Sequence, residues 1–156
     1  MNTFETLEKF ENQITGVLLE LSNRISRLEE INLRSVVGPI VTATEAHILD
    51  VIGRTSEKMS VSEVAAALQI TVPTITVALK KLVDKGFITK TACITDGRRF
   101  LVSLTGQGEK IFEMHRNFHK RMVEAATAGL SHDEKAALFS CAKKLSEFFM
   151  PASAEV

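Results

Sequence analysis

Residues 59–86 read MSVSEVAAALQITVPTITVALKKLVDKG, and the spacing of their apolar positions decides the fold. Val61, Val64 and Leu68 recur at helical intervals, so residues 61–68 are expected as a short helix, opened by the capping pair Ser60 and Glu63. Gln69-Ile70-Thr71 reads as a turn. Val72 opens a second helix, in which Pro73 suits the first turn because the amide it lacks has no partner there, and Gly86 is the C′ residue. Ile75, Leu79 and Leu82 make one buried face, which turns Thr74, Thr76, Val77, Lys80 and Lys81 outward. Small hydroxyl and methyl groups at a helix N-terminus suit base edges and thymine methyls in a major groove, and lysines further along suit phosphates. The segment is expected to be a helix-turn-helix.

Residues 87–104 complete a wing. Phe87, Ile88 and Thr89 are β-prone, Asp96-Gly97 marks a tight turn, and residues 100–104 alternate apolar with other residues. A two-stranded hairpin is expected, with Arg98 and Arg99 at its tip. A guanidinium at a hairpin tip suits the negative potential of a minor groove, and Asp96 would orient it. Ser60, Thr71, Pro73, Thr74, Thr76, Val77, Lys80, Lys81, Asp96, Arg98 and Arg99 are therefore the expected DNA-facing set.

Outside this head the chain is helical. Phe4, Leu7, Phe10, Ile14, Leu18, Leu21, Ile25 and Leu28 form one stripe along a helix from about Thr3 to about Leu33. A second helix is expected over 43–53 behind the capping pair Thr42 and Glu45, and a final pair after Thr105, the last behind Ser131 and Glu134. The fold class is mainly α with a small β-hairpin wing, in the order α-α-α-α-β-β-α-α. Residues 1–156 make one subunit: 42–105 the winged helix-turn-helix, 1–34 and 106–150 long dimerisation helices. Nothing within a monomer would cover the terminal stripes, so a homodimer is expected.

Composition first argues the other way. Nineteen Lys and Arg balance nineteen Asp and Glu, whereas nucleic-acid binders usually carry a basic excess. The balance is uneven along the chain. Residues 71–100 hold six basic residues against Asp84 and Asp96, a net +4, while the first thirty hold six Glu against Lys9, Arg24 and Arg27. No apolar run approaches the ~18 residues of a membrane span, and the N-terminus lacks the basic and apolar regions of a signal peptide. A cytoplasmic protein without membrane contact is expected. Cys93 and Cys141 form neither a disulfide framework nor a CxxC site, and no sensing role is assigned to either. No nucleophile motif or phosphate loop supports an enzyme.

The pattern Asp96-x-Arg98-x-x-x-Val102-x-Leu104-Thr105-x-x-Gly108, behind a matching helix-turn-helix, resembles the wing signature of the MarR family of bacterial transcription regulators. The resemblance implies a winged-helix homodimer whose recognition helices enter successive major grooves of a pseudo-palindromic operator in double-stranded DNA. It also implies that Arg98 enters the minor groove with Asp96 as its partner. Residues 28–35 (LEEINLRS), 45–53 (EAHILDVIG) and 115–122 (HRNFHKRM) further resemble the fatty-acid-biosynthesis repressor (FabT-like) branch. That branch implies a long-chain acyl ligand delivered on acyl carrier protein. The ligand would lie between the dimerisation helices and the reading head, with Val51, Phe112 and Phe118 in an apolar lining. Pro73 stands where that branch would carry a small residue such as Gly, which bears on the operator sequence read.

One constellation points to a different effector. His115 and His119 are four apart on one helix, a spacing that brings two imidazoles to one metal. With His47 and either Glu29 or Glu30 they resemble the first zinc site of the zinc-dependent adhesin-competence repressors. The second site of those repressors is not matched, because Ala46 and Met114 stand where carboxylates are needed. The sequence thus leads to a DNA-binding repressor with an acyl effector, the alternative effector being zinc.

Overall fold

The computed structural model describes residues 3–93 and 99–149. By internal packing the chain divides into two units, Met1–Phe118 and His119–Val156. The first holds α1 (Thr3–Val36), a 3-10 turn (Gly38–Ile40), α2 (Ala43–Gly53), β1 (Met59–Ser60), α3 (Val61–Leu68), α4 (Val72–Asp84), β2 (Ile88–Ala92), β3 (Phe100–Leu104) and most of α5 (Gly106–Ala126). The second holds the end of α5 and α6 (His132–Phe149). Among the described residues no single helix is long and apolar enough to cross a membrane.

Local chemistry explains the boundaries. α1 runs past Leu33 to Val36 because nothing interrupts it before Gly38, which takes φ +71 ahead of Pro39. α2 and α3 each open on a complete capping box, Thr42 with Glu45 and Ser60 with Glu63: the hydroxyl accepts from the third amide and the carboxylate accepts from the cap amide. Ser131 and Glu134 make the same exchange before α6. Gln69 ends α3 in the left-handed region at φ +57, and the chain bends by 110° into α4, within the ~90–120° of a helix-turn-helix.

The expected hairpin is present between β2 and β3, but the sheet has a third strand. β1 pairs antiparallel with β3, Met59 opposite Val102 and Ser60 opposite Leu101, giving the order β1-β3-β2. The two-stranded expectation is corrected by this strand, which joins the wing to the start of α3. Ile75, Leu79 and Leu82 of α4 pack into one core with Val64 of α3, Ile48 and Leu49 of α2 and Val102 of β3. On α1 burial follows only part of the stripe, through the half-buried Leu18 and Ile25. Phe10, Leu21 and Leu28 stay exposed, while Glu29 and Leu33 are buried.

Candidate nucleic-acid interface and histidine cluster

The outer face of α4 is built as the periodicity requires. Thr71, Pro73, Thr74, Thr76, Val77, Lys80 and Lys81 are exposed over the buried Ile75, Leu79 and Leu82. Thr71 caps the helix, its hydroxyl accepting from the Thr74 amide at 3.4 Å and lying 2.8 Å from the Thr74 hydroxyl. Thr76 donates its hydroxyl proton to the Val72 carbonyl at 2.7 Å. Val77 is 60% exposed, an apolar side chain held out from a helix whose opposite face is fully packed.

Other expected contacts are redistributed. Ser60 is 3% exposed and its hydroxyl is committed to the Glu63 amide, so it is a capping residue and leaves the DNA-facing set. Glu63 has its pKa lowered by the Ser60 hydroxyl and amide, with a further contribution from the positive charge of Arg99. Arg99 itself is exposed beside the wing strand. Asp96 and Arg98 lie outside the described residues. Lys90 places its ammonium 4.0 Å from the Phe100 ring centre, a cation–π contact on the wing. Lys85, one of the six basic residues of the head, is paired within the fold. Its ammonium donates to both oxygens of Glu45 at 2.7 Å and to the Ile40 carbonyl at 2.8 Å. Burial alone would raise the Glu45 pKa, but the bonds from Lys85 and Thr42 outweigh it and the net shift is downward. Sequence reasoning missed this pair; no local signal links residues forty positions apart.

The histidine cluster joins three helices. Glu29 of α1 is 4% exposed, and its Oε1 accepts from His115 Nε2 of α5 at 2.6 Å and lies 2.7 Å from His47 Nε2 of α2. The two imidazoles meet edge to face with centroids 5.4 Å apart. His115 is 2% exposed and His47 half exposed. Ligand atoms of Glu29, His47 and His115 all lie within 4.8 Å of one another. His119 comes four residues after His115 in the same helix and is half-buried. Glu30 is not part of this group: it points to solvent and pairs with Arg34 at 2.7 Å. The choice between the two glutamates thus falls on Glu29.

Phe112, Val51 and Phe118, the residues expected in an apolar lining, differ in their surroundings. Phe112 is buried at the wall of a cleft of about 430 Å³ between the end of α2, β3 and the start of α5. The cleft also carries Arg54, Glu57, Glu109 and Glu113, so it is polar at its rim. Val51 is half-buried against the core, and Phe118 is half-buried on α5.

A family model described as "MarR family" matches residues 41–99. Streptococcus pneumoniae FabT, in its crystal structure with DNA, is 32% identical, with a TM-score of 0.84 over 88% of this chain and 96% of that one. The chain belongs to the MarR family. The Staphylococcus aureus MepR–DNA complex shares the fold at 21% identity, with a TM-score of 0.74 over 86% of this chain and 96% of that one. The Bacillus subtilis (strain 168) protein named as uncharacterized HTH-type transcriptional regulator YhjH is 27% identical over 114 residues, 73% of this chain. The chain spans 61% of that relative's length. Among these relatives, YhjH is named as a transcriptional regulator, and FabT and MepR were solved in complex with DNA.

Proposed function

We propose that the chain acts as a homodimeric repressor whose α4 helices enter successive major grooves of a pseudo-palindromic operator, about 34–36 Å apart. The outer face of α4 carries this reading: hydroxyls and an apolar Val77 at its first turns, lysines beyond, all on a buried base. The likeness to FabT, solved with DNA, supports it. The dimer is supported by the uncovered row of Phe10, Val17, Leu21 and Leu28 on α1 and by the exposed Leu138, Phe139 and Phe148 on α6. A protein of this kind works in the cytoplasm, where its operator is. Selection from a random duplex pool, with footprinting of the winner, tests the reading. Two protected half-sites one helical turn apart are expected, and a single protected patch would defeat the dimeric mode.

The effector we propose is a long-chain acyl group on acyl carrier protein, which would place the regulator over fatty-acid synthesis genes. Support comes from the FabT likeness and from residues 28–35, 45–53 and 115–122, which lie outside the shared wing signature. Operator affinity measured with and without palmitoyl-acyl carrier protein decides it, the unacylated carrier being the control. Equal affinities with the two would remove the acyl group as effector.

A second reading has its own observation. A carboxylate and two imidazoles converge within 4.8 Å, a donor set that suits zinc, and His119 is a fourth donor by helix spacing. Glu29, His47, His115 and His119 would hold the ion and tie α1, α2 and α5 together. Zn²⁺ titrated against operator affinity tests it, and a change below about tenfold would remove zinc as effector.

A further inference from the structure

Recognition depends on where the reading helix is anchored as much as on what its outer face carries. We propose that Lys85 is a positioning residue for DNA recognition: it fixes the C-terminal end of α4 to the start of α2 and makes no phosphate contact. The inference rests on the reading role of α4 given above.

The hydrogen-bond inventory of Lys85 carries it. Three acceptor atoms meet the ammonium, Glu45 Oε1 and Oε2 at 2.7 Å and the Ile40 carbonyl at 2.8 Å. These bonds tie the ammonium to the start of α2 and the turn before it. Glu45 is itself held from the α2 side, because it accepts from the Thr42 amide at 3.0 Å in the capping box. The carboxylate is 9% exposed and the lysine side chain 33%, so the pair is partly shielded from water and salt. Lys85 is also the C-cap of α4, its amide bonded back to the Lys81 carbonyl, so a pull on its side chain acts directly on the helix end.

A second anchor grips the same end from another direction. The Gly86 carbonyl accepts from the Thr105 hydroxyl at 2.7 Å and the Phe87 carbonyl from the Thr105 amide at 3.0 Å. The thirteen residues of α4 then extend from this held end to the exposed reading end. At ~1.5 Å per residue that is a lever of about 20 Å, so a tilt of about 5° at the anchor moves Thr71 by about 1.7 Å. A displacement of that size breaks hydrogen bonds to base edges while leaving long, flexible lysines in reach of the backbone. Loss of the clamp should therefore reduce specific binding more than nonspecific binding.

The test uses the full-length chain, a duplex that the wild-type protein selects from a random pool, and a scrambled duplex of the same composition. Affinities are read by fluorescence anisotropy across a salt series, with amide hydrogen exchange at residues 82–87 read in parallel. Lys85→Met is expected to bind the selected duplex about tenfold more weakly, with scrambled-duplex affinity and salt slope unchanged, and to exchange faster at those amides. Lys85→Arg, which keeps the charge and the donors, is expected to recover most of the loss. Should Lys85→Met not fold, Lys85→Gln, which keeps donors without charge, is read in its place against the same controls. Unchanged exchange together with unchanged affinity overturns the proposal. So does an equal loss on both duplexes with a salt slope smaller by about 0.9, the mark of one lost phosphate contact. Lys80→Met separates the underlying reading. If it leaves the salt slope unchanged, the outer face of α4 is not on the phosphates, and hydrogen exchange alone then judges the clamp.

Discussion

Ser60 shows how little of a side chain's role is decided by its type. A hydroxyl at the entrance of a helix-turn-helix is well placed for a phosphate, yet here the chain takes it up as both the end of β1 and the cap of α3. Ser60→Ala is expected to cost about 1 kcal/mol of stability, read as a lower urea midpoint, with the salt slope of DNA binding unchanged. Weaker binding at unchanged stability would instead return Ser60 to the DNA-facing set. The same cap is acid-sensitive in a defined direction. The Glu63 pKa is lowered in the folded chain, first by the Ser60 hydroxyl, so its contribution is complete above the ordinary carboxylate range and fades as pH falls through the lowered value. Glu63→Gln should flatten that part of the acid-unfolding curve. Gly108 is a second residue whose role is set by its surroundings: a Cβ there would lie 2.0 Å from the Phe87 carbonyl oxygen. Gly108→Ala is expected to destabilise by about 3 kcal/mol, visible as a lower thermal midpoint. A midpoint like that of the wild type would mean that α5 can move off Phe87 freely.

At the scale of elements, what was legible in the sequence depended on the range of the interactions that make each element. α2, α3 and the start of α4 could be bounded to the residue because capping boxes and apolar period lie within a few positions of one another. β3 was legible for the same reason, through its alternation. β1 was not. Two residues carry no period, and Met59 and Ser60 become a strand only because Val102 and Leu101 come to lie beside them. The histidine cluster sits between these cases: spacing marked His115 and His119 on one helix, but only packing chose Glu29 over its neighbour Glu30, since one turns inward and the other reaches Arg34. The Lys85–Glu45 pair was wholly illegible, and it alters the charge reading, because one of the head's six basic residues is neutralised within the fold. Asp96 and Arg98 are placed at the wing tip by the Asp-Gly turn signal between β2 and β3. Arg98→Ala is expected to weaken operator binding strongly with the fold intact, and an unchanged affinity and salt slope would remove the wing from the interface.

For the whole molecule, a chain with equal numbers of acidic and basic groups gains little from nonspecific attraction to DNA. In the proposed dimer, specific affinity depends on two correctly spaced copies, and on the apolar row that α1 leaves uncovered. Val17→Glu combined with Leu28→Glu puts charge into that row at two exposed positions without touching the core. Sedimentation should show monomers, and operator affinity should fall far more than affinity for a half-site. A dimer that survived both charges would place the interface elsewhere. The anchors of α4 bear, finally, on how such regulators can be recombined. The reading head does not end with its wing: Ile40 holds the C-terminal end of α4 through Lys85, and Thr105 and Gly108 meet the same end at Gly86 and Phe87. A chimera meant to exchange operator preference between two of these proteins should therefore be spliced before Ile40 and after Gly108. Junctions drawn at the edges of the helix-turn-helix and hairpin would transplant the letters of the reader without the hand that holds it.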